Sequence, residues 1–321
     1  MPSLKEIKNR IASVNSTRKI TSAMKMVASS KLHHAQVMIE NMLPYEKMLE
    51  HILKTFLASE ADAQTIFDKE RTVRRVALIV YSSNSSLCGG FNANVIKMMQ
   101  HAIDEYAHLG KDNIVIYPIG RKVAEKVVKL GLTVAGDFME LADKPNAKEC
   151  TEIACELGRK FADGEIDRVE MIDHHFKSAG SQILTRKTFL FIVVETELSG
   201  DKERDLKTRT VTREVQDYLQ NNQKTKNQKV EAAKPLNDNF IVEPDMNSVL
   251  GSLIPKLLHL MVYTALLDSN ASEHAARMVA MQTATDNADE LLRELNLQYN
   301  KSRQQAITNE LLDIVGGTVN N

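Results

Sequence analysis

The sequence predicts an α/β protein whose two ends form long helices, paired antiparallel as a coiled coil, around a central domain of alternating strands and helices. Three observations lead there. Of 321 residues, 13 are glycine and 7 are proline, against roughly 22 and 16 at average usage. Turn residues this scarce argue against an all-β sandwich or barrel and for long helices. Apolar residues recur at helical spacing in both terminal regions, whereas short apolar runs alternate with amphipathic stretches between them.

The first region runs from Pro2 to about Leu57. Leu4, Ile7, Ile11 and Val14 fall at 3-4-3 spacing and line one helix face. Pro2 and Ser3 suit a helix start. The same register then meets Arg18, Thr21, Lys25 and Ala28, so the seam turns polar, and a second apolar row at Ile20, Met24 and Val27 is expected to take over. Pro44 is expected to bend the helix without ending it, because the pattern resumes from Tyr45 to Leu57.

The last region is more regular. Steps of 3-4 lead from Leu250 through Leu257, Leu260, Leu267, Ala271, Met278, Met281, Ala288 and Leu295 to Ala306, over eight heptads. Heptads sustained beyond three or four indicate a coiled coil. Gly316 and Gly317 are expected to stop the helix.

Between these regions, Val73 to Tyr81 reads as a buried strand, followed by the loop SSNSSLCGG and a helix from about Asn92 to Leu109. Strand 113–119, helix 121–130, strand 132–137 and helix 147–161 follow. Strands 168–176 and 182–195, joined by KSAGS, are close enough for an antiparallel hairpin. Such alternation predicts a mainly parallel, Rossmann-like sheet. The polar stretch 199–239 reads as a mobile insert with one short helix from Thr210 to Leu219. The expected organisation is a shaft from 1–57 and 246–315, a Rossmann-like domain over 70–198, and the insert at 199–239.

Composition narrows the function classes. With 43% hydrophobic and 26% charged residues the chain is globular. Net charge is −1, from 41 basic and 42 acidic residues, so no global field recruits nucleic acid or an anionic membrane. The N-terminus opens into a charged periodic helix, unlike a signal or transit peptide. The longest apolar runs are short, and the stretch from Leu257 to Leu267 is broken by His259, whereas a membrane span needs about 20 residues. A soluble chain is expected.

Chemistry-bearing motifs are sparse. Neither the G-x-G-x-x-G turn nor the P-loop spacing surrounds Gly89 and Gly90. A tight strand-to-helix turn with Asn92 as helix cap is the expected reading. Cys88, Cys150 and Cys155 have no metal spacing and read as buried thiols in a reducing compartment. Cys150 and Cys155 point about 140° apart around a helix. His174 and His175 point to opposite faces of a strand, which makes a shared metal awkward, and a solvated strand-end cluster with Glu170 and Asp173 is expected. His33 and His34 likewise diverge on a helix. No catalytic constellation, cofactor site or metal site emerges.

Charge is distributed unevenly. Residues 1–35 carry seven basic side chains against Glu6, and residues 286–313 carry six acids against three bases. An antiparallel pair would bring part of these stretches together.

Longer motifs are more specific. ITSAMKMVASSK near the N-terminus, LCGGFN after the first strand, and ASEHAARMVAMQTATDNADELL with YNKSRQQAITNELLDIVGG near the C-terminus resemble the gamma subunit of bacterial F-type ATP synthases. The resemblance covers about residues 1–198 and 240–317. The chain departs from it at Thr318, where alanine is usual, and at Ser85 and Ser86, where Arg-Gly is common.

The resemblance implies a non-catalytic rotor shaft. It would couple ion flow through a membrane c-ring to conformational changes at the catalytic sites of three alpha and three beta subunits, and regulate ATPase activity, with the epsilon subunit at its base. It implies no cofactor, and a peripheral position on the cytoplasmic face of the cell inner membrane. It also implies partner contacts at Met24 and Lys25, at Arg303 and Gln304, and at coupling positions Arg277, Thr308 and Glu310. The absence of tryptophan and the small, methionine-rich faces suit a shaft that passes three non-identical surfaces without anchoring on any. Two other classes are open from the residues alone. An enzyme dimerised by its helices would bind nucleotide, and a basic coiled-coil module would bind nucleic acid or lipid with steep salt dependence.

Overall fold

The computed structural model describes residues 3–59, 71–190, 243 and 246–318. The expected insert, the end of the second hairpin strand and the helix at 210–219 lie outside these residues. Helix α1 spans Leu4–Ser59 and continues through Pro44. The last helix, numbered α6 here, spans Met246–Thr318 and contains Pro255. Gly316 and Gly317 therefore lie inside it and do not stop it, since glycine weakens a helix without forbidding it.

Between them, strand β1 (Val76–Tyr81) leads to α2 (Phe91–Glu105), β2 (Ile114–Ile119), α3 (Arg121–Leu130) and the two-residue β3 (Thr133–Val134). A short helix α4 (Met139–Asp143), not expected from the sequence, precedes α5 (Ala147–Ala162). The hairpin β4 (Arg168–Ser178) and β5 (Ser181–Leu190) completes the sheet. Strand order is β3-β2-β1-β4-β5. The first four strands are parallel, and β5 pairs antiparallel with β4. This is the alternating α/β architecture that the sequence predicts.

Residues of β1 alternate between two apolar layers. Val76, Leu78 and Val80 pack with Val95 and Met99 of α2 and Val123 and Val127 of α3. Ala77, Ile79 and Tyr81 pack with Ile153, Leu157 and Phe161 of α5 and with Leu258, Val262 and Leu266 of α6. All six β1 residues are buried, which is why the strand reads as an unbroken apolar run. The turn from β2 into α3 depends on Gly120. Its φ is +105°, and a Cβ there would lie 2.2 Å from the Ser82 carbonyl oxygen.

The chain separates into two compact units, one from Met1–Ser30 and Arg277–Asn321, the other from Lys31–Ala276. In the first unit the helices run antiparallel. Arg18 Nη1 is 2.8 Å from Asp289 Oδ1, and the Thr21 and Thr285 hydroxyls are 2.8 Å apart. Ser3 and Glu6 close a capping box, with Ser3 N donating to Glu6 Oε2 at 2.9 Å and Glu6 N to Ser3 Oγ at 3.3 Å.

The expected change of seam along α1 does not occur. Ile20, Met24 and Val27 are 57%, 42% and 59% exposed, whereas Thr21 and Ala28 are buried. The polar register stays at the seam because buried Thr21 and half-exposed Arg18 each find a polar partner across the pair. An 18-residue stretch of α6 is apolar enough on average to match a membrane span, and half of it is buried inside the protein. The unbroken runs counted in the sequence missed it, because an average tolerates interspersed serine and threonine.

Candidate functional site

In a doubly wound sheet the natural ligand crevice lies beyond the carboxyl ends of the strands where the chain reverses direction. Here that point lies between β1 and β4, since the chain leaves β1 toward β2 and reaches β4 only after β3. Side chains of this chain fill it. Phe91, opening α2, stacks on His174 of β4 with ring centroids 4.3 Å apart. From α6, Ser269 Oγ accepts from His174 N at 3.1 Å, and Tyr81 of β1 donates its hydroxyl to the Val262 carbonyl at 3.0 Å.

The loop after β1 is tied to itself. Ser83 N donates to Asn92 Oδ1 at 3.0 Å, and Asn92 Nδ2 donates to Ser83 Oγ at 2.8 Å and to Cys88 Sγ at 3.0 Å. Asn92 is thus not the helix cap. Gly90 holds that position, and the Asn92 amide, one turn in, clamps the loop from the helix side.

His174 and His175 are buried, not solvated. Burial lowers the His174 pKa from 6.5 to about 4, keeping the ring neutral against Phe91. His175 points the other way, and its Nδ1 lies 2.8 Å from Asp268 Oδ2 of α6. The two rings diverge as the strand period requires. Glu170, expected in a solvated cluster, is also buried. Its carboxylate accepts from Tyr106 Oη at 2.6 Å and Arg186 Nε at 2.7 Å, and Arg168 Nε lies 3.0 Å away as an ion pair. Asp173 accepts from Thr185 Oγ1 at 2.9 Å. These residues neutralise one another and present no free carboxylate pair.

Two of the three cysteines are buried as expected. The Cys150 thiol pKa is pushed up to about 12 by burial. Cys155 is exposed, which the sequence reading did not foresee. Its Sγ lies 3.1 Å from His259 Nε2 of α6. The signal in the sequence was the interruption of the 257–267 apolar run by a histidine, but nothing in spacing says which helix it faces.

The residues expected to contact partners all belong to the first unit. Met24, Arg303, Gln304, Thr308 and Glu310 are exposed, and Lys25 and Arg277 are half-buried. Thr308 Oγ1 donates back to the Gln304 carbonyl at 2.9 Å, a local bond on the helix surface. On α1, exposed Met24 shares one helix face with exposed Ile20 and Val27, and exposed Met26 lies on another face.

Known proteins are similar to this chain in sequence and in architecture. The family described as ATP synthase matches residues 3–319. The ATP synthase gamma chain of Phocaeicola vulgatus is 52% identical over 99% of this chain and 100% of its own length. That of Bacteroides thetaiotaomicron is 53% identical over the same shares. Among solved structures, a chain of the Euglena gracilis mitochondrial ATP synthase superposes with a TM-score of 0.56 at 17% identity, covering 98% of this chain and 93% of that one. A chain of the Tetrahymena thermophila mitochondrial ATP synthase central stalk and c-ring gives 0.54 at 22% identity, over 83% and 99%. By near-full-length identity above one half, the chain belongs to the ATP synthase gamma-chain family.

Proposed function

We propose that this chain is the central rotor shaft of an F-type ATP synthase, transmitting torque between a membrane ion-driven ring and the catalytic head. The observation that carries the reading is the antiparallel pairing of the termini at Arg18–Asp289 and Thr21–Thr285, beside an uncovered row at Ile20, Met24 and Val27. Two paired helices resist bending better than one, and an apolar face open to solvent offers a sliding contact. Catalysis and nucleotide binding belong to the partners in this reading. It is supported by the switch-point crevice being filled with Phe91, His174 and α6 side chains.

In this reading residues 1–57 and 246–315 form the shaft, 70–198 the Rossmann-like domain and 199–239 an insert. Met24, Lys25, Arg277, Arg303, Gln304, Thr308 and Glu310 face the alpha and beta subunits. Epsilon and the c-ring bind elsewhere on the chain, which sits peripherally on the cytoplasmic face of the inner membrane, couples ion flow to ATP synthesis or ATP-driven pumping, and regulates ATPase activity. The test is co-expression with the other subunits. One copy is expected to co-purify with three copies each of two nucleotide-binding subunits, and deletion of residues 306–321 is expected to weaken coupling more than assembly. A lone homodimer carrying bound NAD would overturn the proposal.

A further inference from the structure

We propose that Cys155 is a nucleophilic thiol with His259 as its base, a modification site for small soft electrophiles such as hydrogen peroxide. Cys155 lies on α5 and His259 on α6, 104 residues apart in sequence, with Sγ and Nε2 at 3.1 Å. Both belong to the second compact unit. Cys155 is exposed, so a small reagent reaches the sulfur, while Cys88 and Cys150 are buried. A thiol hydrogen-bonded to an imidazole can pass its proton to the ring as sulfur attacks, which is the nucleophile–base arrangement in its simplest form. Partial burial lowers the His259 pKa below its usual 6.5, so at neutral pH the ring is uncharged, and with its proton on Nδ1 it accepts at Nε2.

Helical spacing places three charged residues within one turn of the pair. Glu152 and Arg159 flank Cys155 at three and four residues, and Lys256 precedes His259 by three. Both basic residues favour a developing thiolate, and Glu152 opposes it. Tyr263, one turn beyond His259, has its phenol pKa raised by burial and stays neutral.

With hydrogen peroxide as the oxidant, Sγ forms a bond to one peroxide oxygen and the O–O bond breaks. The thiol proton passes through His259 Nε2 to the departing hydroxide, which leaves as water. Sulfur is oxidised by two electrons to a sulfenic acid, and the peroxide is reduced. Resolution requires an external thiol. Cys150 is buried and points about 140° away around α5, so it cannot close a disulfide with Cys155.

The experiment is peptide-resolved alkylation of the folded full-length chain with iodoacetamide between pH 5 and 9, on the wild type and His259→Gln. Protection of Cys88 and Cys150 in both proteins serves as the folding control. Cys155 is expected to alkylate about tenfold faster at pH 6.5 in the wild type than in His259→Gln. Peroxide followed by a sulfenic-acid probe is expected to label Cys155 and neither other cysteine. Equal Cys155 rates in the two proteins would overturn the proposal. Should His259→Gln fail to fold, the wild-type profile decides. An inflection below pH 6.5 supports the proposal, and a single rise centred at about 8.5, the value of a free thiol, overturns it.

Discussion

Arg18 Nη1 and Asp289 Oδ1, 271 residues apart in the chain, meet at 2.8 Å across the paired helices. The contact joins the basic N-terminal stretch to the acidic C-terminal one. Its side chains are 39% and 42% exposed, so water screens much of the attraction. A double-mutant cycle with Arg18→Ala and Asp289→Ala is expected to give a coupling of about 0.2–1 kcal/mol in urea unfolding. It should shrink toward zero in about 1 M salt. The pair specifies register more than it stabilises.

A buried carboxylate behaves differently. Glu170 is 3% exposed and held between Arg186, Tyr106 and Arg168. Glu170→Gln removes the buried carboxylate between Arg168 and Arg186, but Arg186 Nη1 keeps Glu105 Oε2 at 2.7 Å, so the change is expected to cost about 1–3 kcal/mol in denaturant unfolding. Replacing Glu170, Arg186 and Arg168 together by apolar residues should cost less than the single change.

His174 makes stability depend on pH. Its pKa falls from 6.5 to about 4 because burial disfavours the charged ring. As pH drops below 6.5 the unfolded chain takes up a proton that the folded chain refuses until about pH 4. The contribution is therefore complete above pH 6.5 and lost progressively toward pH 4, by about 3 kcal/mol in all. His174→Gln is expected to flatten the stability–pH curve by that amount across this window. Unfolding followed at half-unit pH steps measures the difference.

Gly120→Ala is expected to destabilise the sheet by at least about 2 kcal/mol. The residue sits at φ +105°, and the added Cβ would lie 2.2 Å from the Ser82 carbonyl oxygen. That oxygen belongs to backbone, and Ser82 is itself anchored by its N–H donating to the Ile119 carbonyl at 2.7 Å. The loop must shift to make room. Thermal unfolding of the variant is expected to show a lower midpoint, whereas Gly131→Ala, with open space around its Cβ position, should lose only the smaller cost of its positive φ.

Much of the fold was legible in the residues. β1, β4 and the start of β5 lie within a few positions of their expected bounds, because β1 is a continuous apolar run and KSAGS is a short turn. α4 escaped because five residues carry less than two turns of periodicity. The partner-contact positions came from long motifs and not from chemistry, since Arg303, Gln304 and Glu310 on an exposed helix look like any solvated face. The Cys155–His259 pair was invisible, because its members lie 104 residues apart on two helices.

The sequence by itself determined the order of the long helices and strands around the sheet and that both ends form long helices, because those properties follow from local periodicity and from the scarcity of turn residues. Only the tertiary structure decided which faces are covered. Thr21 and Ala28 are inside while Ile20, Met24 and Val27 are outside, against the apolar pattern. Periodicity places a stripe on a helix, but burial depends on what lies across from it. The Thr285 hydroxyl and the Asp289 carboxylate make the polar stripe the one that fits.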